Sequence, residues 1–459
     1  MAEVQEQEEQ LIKFTDEQIA IAKKYDLTEN VMPFLDRHLI YLLVDNLELI
    51  YSSEEVESLE YQLVKDTNMI RFIKEKYSNL YPGKEFPAEL LEKENFVNEE
   101  LVKLNSTTKK TLEILSSQEV QQNLKQDKTY NREYLSSKHD IDDSKILELY
   151  NFGKFQYNRG DYVMASDLLN NFRLLSTNQD LNLSATWGKL SSEIISMSWN
   201  DALEELNKLR EIIDNRHFKG TPLDQLNKRT WLIHFSLFVF FNSDNGLESL
   251  VDLFFSSSYL STIQASCPWI LRYLVVAVLN SKPQQRQKRL KDLVKAVQIE
   301  SYEYSDPFTN LINALYVDFD FEKIGSIFKE VKVLAETDFF IGNLPSTELI
   351  KNIETLIFEV VSKVYKALPV EELKTFLNIE SDDEIVSIAS ESKDTITVEN
   401  GAVNIKKAET GSVYQQLYEK TKAFNFKTNQ LLGNAFGNTS TGSSSTRQHQ
   451  QSQPQSQEA

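Results

Sequence analysis

Between Asn30 and Leu47 the apolar side chains fall at Val31, Phe34, Leu35, Leu39, Leu42, Leu43 and Leu47. Steps of three and four put them on one face, so the spacing predicts a single α-helix there. Segments of the same kind follow at Val56–Val64, Met69–Leu80 and Leu90–Leu115, with a Tyr81-Pro82-Gly83 turn between two of them. Residues 145–213 carry a weak internal repeat. Gly153, Gly160, Tyr162, Ala165 and Leu169 take the small and aromatic positions of a tetratricopeptide-like helix hairpin, and Gly188, Trp199 and Ala202 partly repeat them. Two unrelated amphipathic hairpins would leave a similar trace. The most apolar stretches, Trp231–Phe241 and Pro268–Leu279, fall well short of the roughly 20 residues that span a bilayer and predict buried helices.

Toward the C-terminus the period changes. Ser346–Leu368 reads as one long helix, Pro369-Val370-Glu371-Glu372 restarts another, and Ser381-Asp382-Asp383-Glu384 is a capping-box sequence for a third. Thr395-Ile396-Thr397-Val398-Glu399, Asn400-Gly401 and Ala402-Val403-Asn404-Ile405 then form the strongest short hairpin signal in the chain. Three helices followed by a β-hairpin predict a winged helix over about 346–408. After Gly411 a last helix over Val413–Leu432 carries Leu417, Phe424 and Leu431 at seven-residue spacing, a stripe suited to docking on other helices. Its alternative is packing back on the same chain. Residues 1–24 are Glu/Gln-rich and predicted to be a flexible acidic extension or a marginal helix, and 433–459 a disordered Gln/Ser-rich tail. The fold class is therefore mainly α: a helical domain over 25–140, tetratricopeptide-like hairpins over 141–230, a more apolar helical region ending in a winged helix over 231–408, and a terminal helix over 411–432.

Composition narrows function. With 69 acidic against 49 basic residues the chain carries a formal charge of −20, a poor balance for general nucleic-acid binding. The segment Ser381–Lys393, where a recognition helix would lie, holds Asp382, Asp383, Glu384 and Glu391 against Lys393. Four acids facing a phosphate-lined groove disfavour DNA, so the winged helix is expected to dock protein, with its hairpin edge open to strand pairing through Ile396, Val398, Val403 and Ile405. One basic cluster stands apart: Lys282, Arg286, Lys288, Arg289, Lys291 and Lys295, opposed by Asp292. It reads either as a contact for ribosomal RNA, mRNA or an acidic partner, or as a solvated helix face.

Catalytic constellations do not assemble. His38, His139, His217, His234 and His449 form no His-Glu-x-x-His or paired-ligand pattern, and a lone Cys267 allows neither an intrachain disulfide nor a cysteine zinc site. No phosphate-cradling Gly-x-x-x-x-Gly-Lys loop occurs. The expectation is a protein without enzymatic activity, cofactor or metal. An acidic, polar start, unlike a secretory or mitochondrial leader, adds the expectation of a soluble intracellular chain with no membrane contact.

Several words of the sequence carry a resemblance. They are Phe34-Leu35-Asp36-Arg37-His38-Leu39, Asp66-Thr67-Asn68-Met69, Asn79-Leu80-Tyr81, Arg229-Thr230-Trp231-Leu232-Ile233-His234 with Ser236–Asn242, Leu290–Lys295, and Val413-Tyr414-Gln415-Gln416 with Glu419–Lys422. The chain resembles the e-subunit family of eukaryotic translation initiation factor three, within the PCI class, from about 30 to 432. That resemblance implies a helical-repeat arm, a PCI domain made of a helical half and a winged helix, and a C-terminal helix that joins a bundle. It also implies a non-catalytic scaffold in the cytoplasm, with a minor nuclear pool. Its partners would be other initiation factor three subunits, especially PCI subunits, and the small ribosomal subunit, in support of mRNA recruitment and scanning. A PCI subunit of the proteasome lid or signalosome is the nearest alternative. A metal-dependent isopeptidase from the same assemblies would need a His-x-His and acidic ligand set that the sequence lacks. The acidic segment 380–394 departs from the family pattern, so no contact residue is carried over there.

Overall fold

The computed structural model describes residues 14–125, 127–215, 218, 220–379, 395–399, 402–406, 414, 417–418 and 420–428. Helix follows helix: α1 (Asp16–Lys24), α2 (Thr28–Val31), α3 (Arg37–Leu47), α4 (Ser53–Val64), α5 (Ile70–Leu80), the long α6 (Ala88–Ser116), α7 (Gln118–Asn123) and α8 (Lys128–His139). The periodic run that predicted one helix from Asn30 is broken. Pro33 sits in a 3₁₀ turn over Met32–Phe34, and Asp36 starts α3 afresh by accepting the His38 N–H at 3.0 Å.

Four helices then stack as two hairpins: α9 (Asp143–Arg159), α10 (Tyr162–Leu175), α11 (Gln179–Ile195) and α12 (Trp199–Asp214). Their packing explains the repeat. Leu169 of α10 lies between Gly153 of α9 and Gly188 of α11, where an added Cβ would come within 3.0 Å and 2.9 Å of its side chain. Ala165 and Ala202 are fully buried on the same inner faces.

The next helices build the main core. They are α13 (Pro222–Asn242), α14 (Gly246–Phe254), α15 (Ser257–Ser266), α16 (Leu271–Leu279), α17 (Pro283–Glu300), α18 (Pro307–Asn313), α19 (Phe321–Thr337), α20 (Phe339–Gly342) and α21 (Ser346–Val364). α13 begins well before its apolar run, because Thr221 and Asp224 form a capping box around Pro222 at the first helical position. Every residue of α16 is buried. Its Arg272 is matched rather than exposed: the guanidinium donates to Asp306 at 2.7 Å, Asp338 at 3.0 Å and the Tyr25 carbonyl at 2.7 Å. Removing one member of such a buried network typically costs about 3–5 kcal/mol.

Tyr25 belongs to the N-terminal segment, and that contact bears on the two readings of this segment. Residues 16–24 are not a loose extension but a helix that opens with a Thr15–Gln18 capping box and packs on α19, with Ala22 buried against Val333. Leu27, Val31, Leu39 and Leu43 continue into the main core, which runs on to Ile379. No structural break therefore falls at 24/25. Residues 1–13 lie outside the described residues.

The long helix expected over 346–368 stops at Val364. Pro369 disfavours helix at the residue before it, and Ala367–Pro369 becomes strand β1. Helix α22 (Val370–Leu377) follows, and strands β2 (Thr395–Glu399) and β3 (Ala402–Lys406) complete an antiparallel sheet in the order β1-β3-β2. Ile396 pairs with Ile405 and Val398 with Val403, as the Asn400-Gly401 signal requires. The predicted capping box at 381–384 lies outside the described residues.

Candidate functional site

Reactive side chains are placed structurally. His234, in α13, shares its Nδ1 with the Thr230 carbonyl at 2.7 Å and accepts from Trp269 Nε1 at 3.2 Å through Nε2. Phe34 stacks on its ring at 4.6 Å, and burial pulls its pKa down to about 4. The Cys267 thiol is buried and pushed up to about 12 by desolvation, which suppresses thiolate chemistry. Among the described residues, no three His, Cys, Asp or Glu side chains converge on a metal position. Among the same residues, no helix is long and apolar enough to cross a membrane.

The basic cluster resolves into unequal parts on α17. Arg286, with 3% of its surface exposed, points inward, donates to the Leu279 carbonyl at 3.5 Å and lies 3.9 Å from Glu359 of α21. Its guanidinium is thereby removed from any solvent-facing contact. Arg289 is engaged by Asp252 and lies 5.6 Å over the Phe255 ring, and Lys282 reaches Glu248 at 3.7 Å. Lys288, Lys291 and Lys295 are exposed and carry no ion pair among the described residues. Their spacing aligns them along one side of the helix.

For the hairpin the structure fixes backbone register. β3 is the central strand, and the outer edge of β2, with Ile396 and Val398, is unpaired among the described residues, like that of β1. Val403 and Ile405 lie on β3 and so occupy no free edge. At the C-terminus, residues 414, 417–418 and 420–428 are helical. Leu417 and Phe424 are 61% and 70% exposed, and Tyr414, Tyr418 and Phe426 are more than two-thirds exposed beside them. The seven-residue pattern had not marked those three aromatics, although Tyr414 and Tyr418 extend the same stripe at helical spacing. No described part of the chain covers it. Leu431 lies outside the described residues.

The words that carried the family resemblance converge. Phe34 meets His234, Asp36 accepts the Tyr157 hydroxyl at 2.7 Å, His38 pairs with the Tyr162 hydroxyl at 2.9 Å, and Arg37 bridges to Asp66 at 2.7 Å. The N-terminal helices are thereby fastened to both the repeat hairpins and α13. Comparison with known proteins gives the same answer by an independent route. Residues 26–156 match the family described as eIF3 subunit 6 N terminal domain. Over 420 residues the chain is 41% identical to the E subunit of eukaryotic translation initiation factor 3 from Yarrowia lipolytica, covering 89% of this chain and 98% of the relative. The chain belongs to the E-subunit family of eukaryotic translation initiation factor 3. The E subunits of the factor from Aspergillus terreus and Pyricularia oryzae are each 39% identical, over 90% and 89% of this chain and 94% and 96% of their own lengths. The chain is thus a translation initiation factor subunit, and a place in the proteasome lid or signalosome is not favoured.

Proposed function

We propose that this subunit is a non-catalytic scaffold of the initiation factor 3 complex. It takes its place through its C-terminal helix and winged-helix edge, and supports small-ribosomal-subunit binding, mRNA recruitment and scanning in the cytoplasm. The carrying observation is the apolar stripe of Tyr414, Leu417, Tyr418 and Phe424, left uncovered on a helix that no described part of the chain packs against. Exposed apolar stripes of this size are interaction surfaces, since water contact at each ring is unfavourable. The outer edge of β2 offers a second contact, by strand addition from another PCI subunit. The burial of His234 and of the Cys267 thiol, which moves both away from titration near neutral pH, supports the non-catalytic part.

Leu417→Asp combined with Phe424→Asp tests the reading in cells carrying the full chain. Affinity purification of another subunit is expected to lose this one, while the variant's thermal unfolding is unchanged. Normal co-purification would count against docking through this helix, and zinc-dependent hydrolase activity against the non-catalytic assignment.

A further inference from the structure

Between α18 and α19 the chain leaves the regular helical path. Ala314–Asp318 forms a π-helical turn, and the N–H groups of Phe319 and Asp320 both donate to the Ala314 carbonyl, the second at 3.1 Å. Such turns, set among α-helices, concentrate at functional sites. This one ends on Phe319 in the left-handed region, at φ 54° and ψ 35°. Asp140, Asn245 and Asn378 also have positive φ, but they are residue types that tolerate it, whereas a bulky aromatic is strained there. Met197 shares the misfit without being aromatic. Core packing does not explain the strain. Phe319 is 54% exposed and takes no part in the main core, while Phe321 is buried against Tyr365 and Phe376 at 5.8 Å and 6.1 Å. The turn therefore holds one ring out in water and sends the next one in.

The charges beside the ring are mostly of one sign. Asp318 and Glu322 are exposed and carry no ion pair among the described residues, and Asp320 is paired with Lys323 at 2.6 Å. Lys323 feels all three carboxylates: its hydrogen bond and attraction to Asp320 raise its pKa most, and Asp318 and Glu322 raise it further. On this turn three carboxylates against one ammonium leave two negative charges in excess. An exposed ring bordered by carboxylates fits an apolar pocket rimmed by Lys or Arg, because the ring gains by leaving water and the carboxylates steer it. We propose that Phe319 anchors a contact with another subunit of the factor, its ring inserted in such a pocket and Asp318 and Glu322 facing the basic rim. RNA is disfavoured, because the same carboxylates repel phosphate. The contact rests on the scaffold reading above, but on a different element from the C-terminal helix and the β2 edge.

The test places a photoreactive benzoylphenylalanine at position 319, which keeps an aromatic ring there, in the assembled factor. The expected product is a cross-link to a single other subunit, in a segment where Lys or Arg accompanies apolar residues. Asp318→Lys with Glu322→Lys should lower its yield by about fivefold or more, and Asp318→Asn with Glu322→Gln by less. In urea, Phe319→Asn should unfold the full chain at the same concentration or a higher one, because asparagine suits the left-handed turn. Earlier unfolding of that variant would mean that the ring packs on its own chain, and it overturns the proposal. So does a cross-link confined to this chain, to a second copy or to RNA, a target segment without basic residues, or an unchanged yield on charge reversal. Where the subunit is recovered with the factor, absence of any cross-link from position 319 overturns this contact and leaves docking through the C-terminal helix standing.

Discussion

His234 shows how a single buried residue sets a pH limit on the fold. Its ring is closed in by Phe34, Trp269 and the Thr230 carbonyl, and no carboxylate stands within hydrogen-bond reach to balance a positive charge. Burial lowers its pKa from 6.5 to about 4. The folded state therefore binds its proton later than the unfolded chain does as pH falls. Stability associated with this residue is complete above about pH 6.5 and fades as pH drops toward about 4, amounting to about 3 kcal/mol in full at 1.36 kcal/mol per pKa unit. His38 is lowered by burial too, partly offset by Asp36, and acts in the same direction. Urea unfolding of the full chain should lose more stability between pH 7 and pH 5 than that of His234→Gln, by about 2 kcal/mol. Equal losses in the two proteins would show that the imidazole does not titrate on unfolding.

At the scale of elements, the hairpin region depends on Leu169 having glycine on both sides. A methyl group at Gly153 or at Gly188 alone can be met by moving Leu169 toward the other helix, and each change also gains up to about 1 kcal/mol of helix propensity. With both glycines replaced, that escape closes. Gly153→Ala with Gly188→Ala is therefore expected to be less stable than the sum of the single variants, by a coupling of about 0.5–3 kcal/mol measured in denaturant. Additive effects would mean that Leu169 is not the shared contact. The 37-residue spacing of Tyr162 to Trp199 and of Ala165 to Ala202 made these hairpins legible in the sequence, because local periodicity and small residues encode them. Other features depend on distant parts of the chain and were not legible. Arg286 sits in a run of cations that looks like a solvated face, and only Glu359 and the Leu279 carbonyl reveal that it turns inward. Likewise α1 looks like an acidic fringe until α19, some three hundred residues away, covers Ala22. The end of α21 is a different case: Pro369 was visible, but the apolar run continuing to Leu368 outweighed it. The candidate docking stripe was read in part, since heptad spacing selects Leu417 and Phe424 but passes over Tyr414 and Tyr418.

For the whole molecule, charge decides how it meets RNA. A net charge of −20 repels phosphate at distances set by the Debye length, about 8 Å at physiological salt. Any RNA contact must then be made where that field is locally reversed and the cations are unpaired. Lys288, Lys291 and Lys295 are exposed and unpaired among the described residues; Arg286 and Arg289 are not, one being buried and the other held by Asp252. The candidate for an RNA contact thus narrows from six basic residues to three lysines. Replacing all three with Glu should weaken binding of the assembled factor to the small ribosomal subunit. It should also make that binding less sensitive to salt, the slope of log K against log salt falling by about 2–3, since each lost phosphate contact accounts for about 0.7–0.9. Arg289→Glu alone should leave the slope nearly unchanged, because its charge is already spent on Asp252. If the triple variant binds with the parent's affinity and salt slope, the stripe is a solvated face and the factor's affinity for RNA comes from its other subunits.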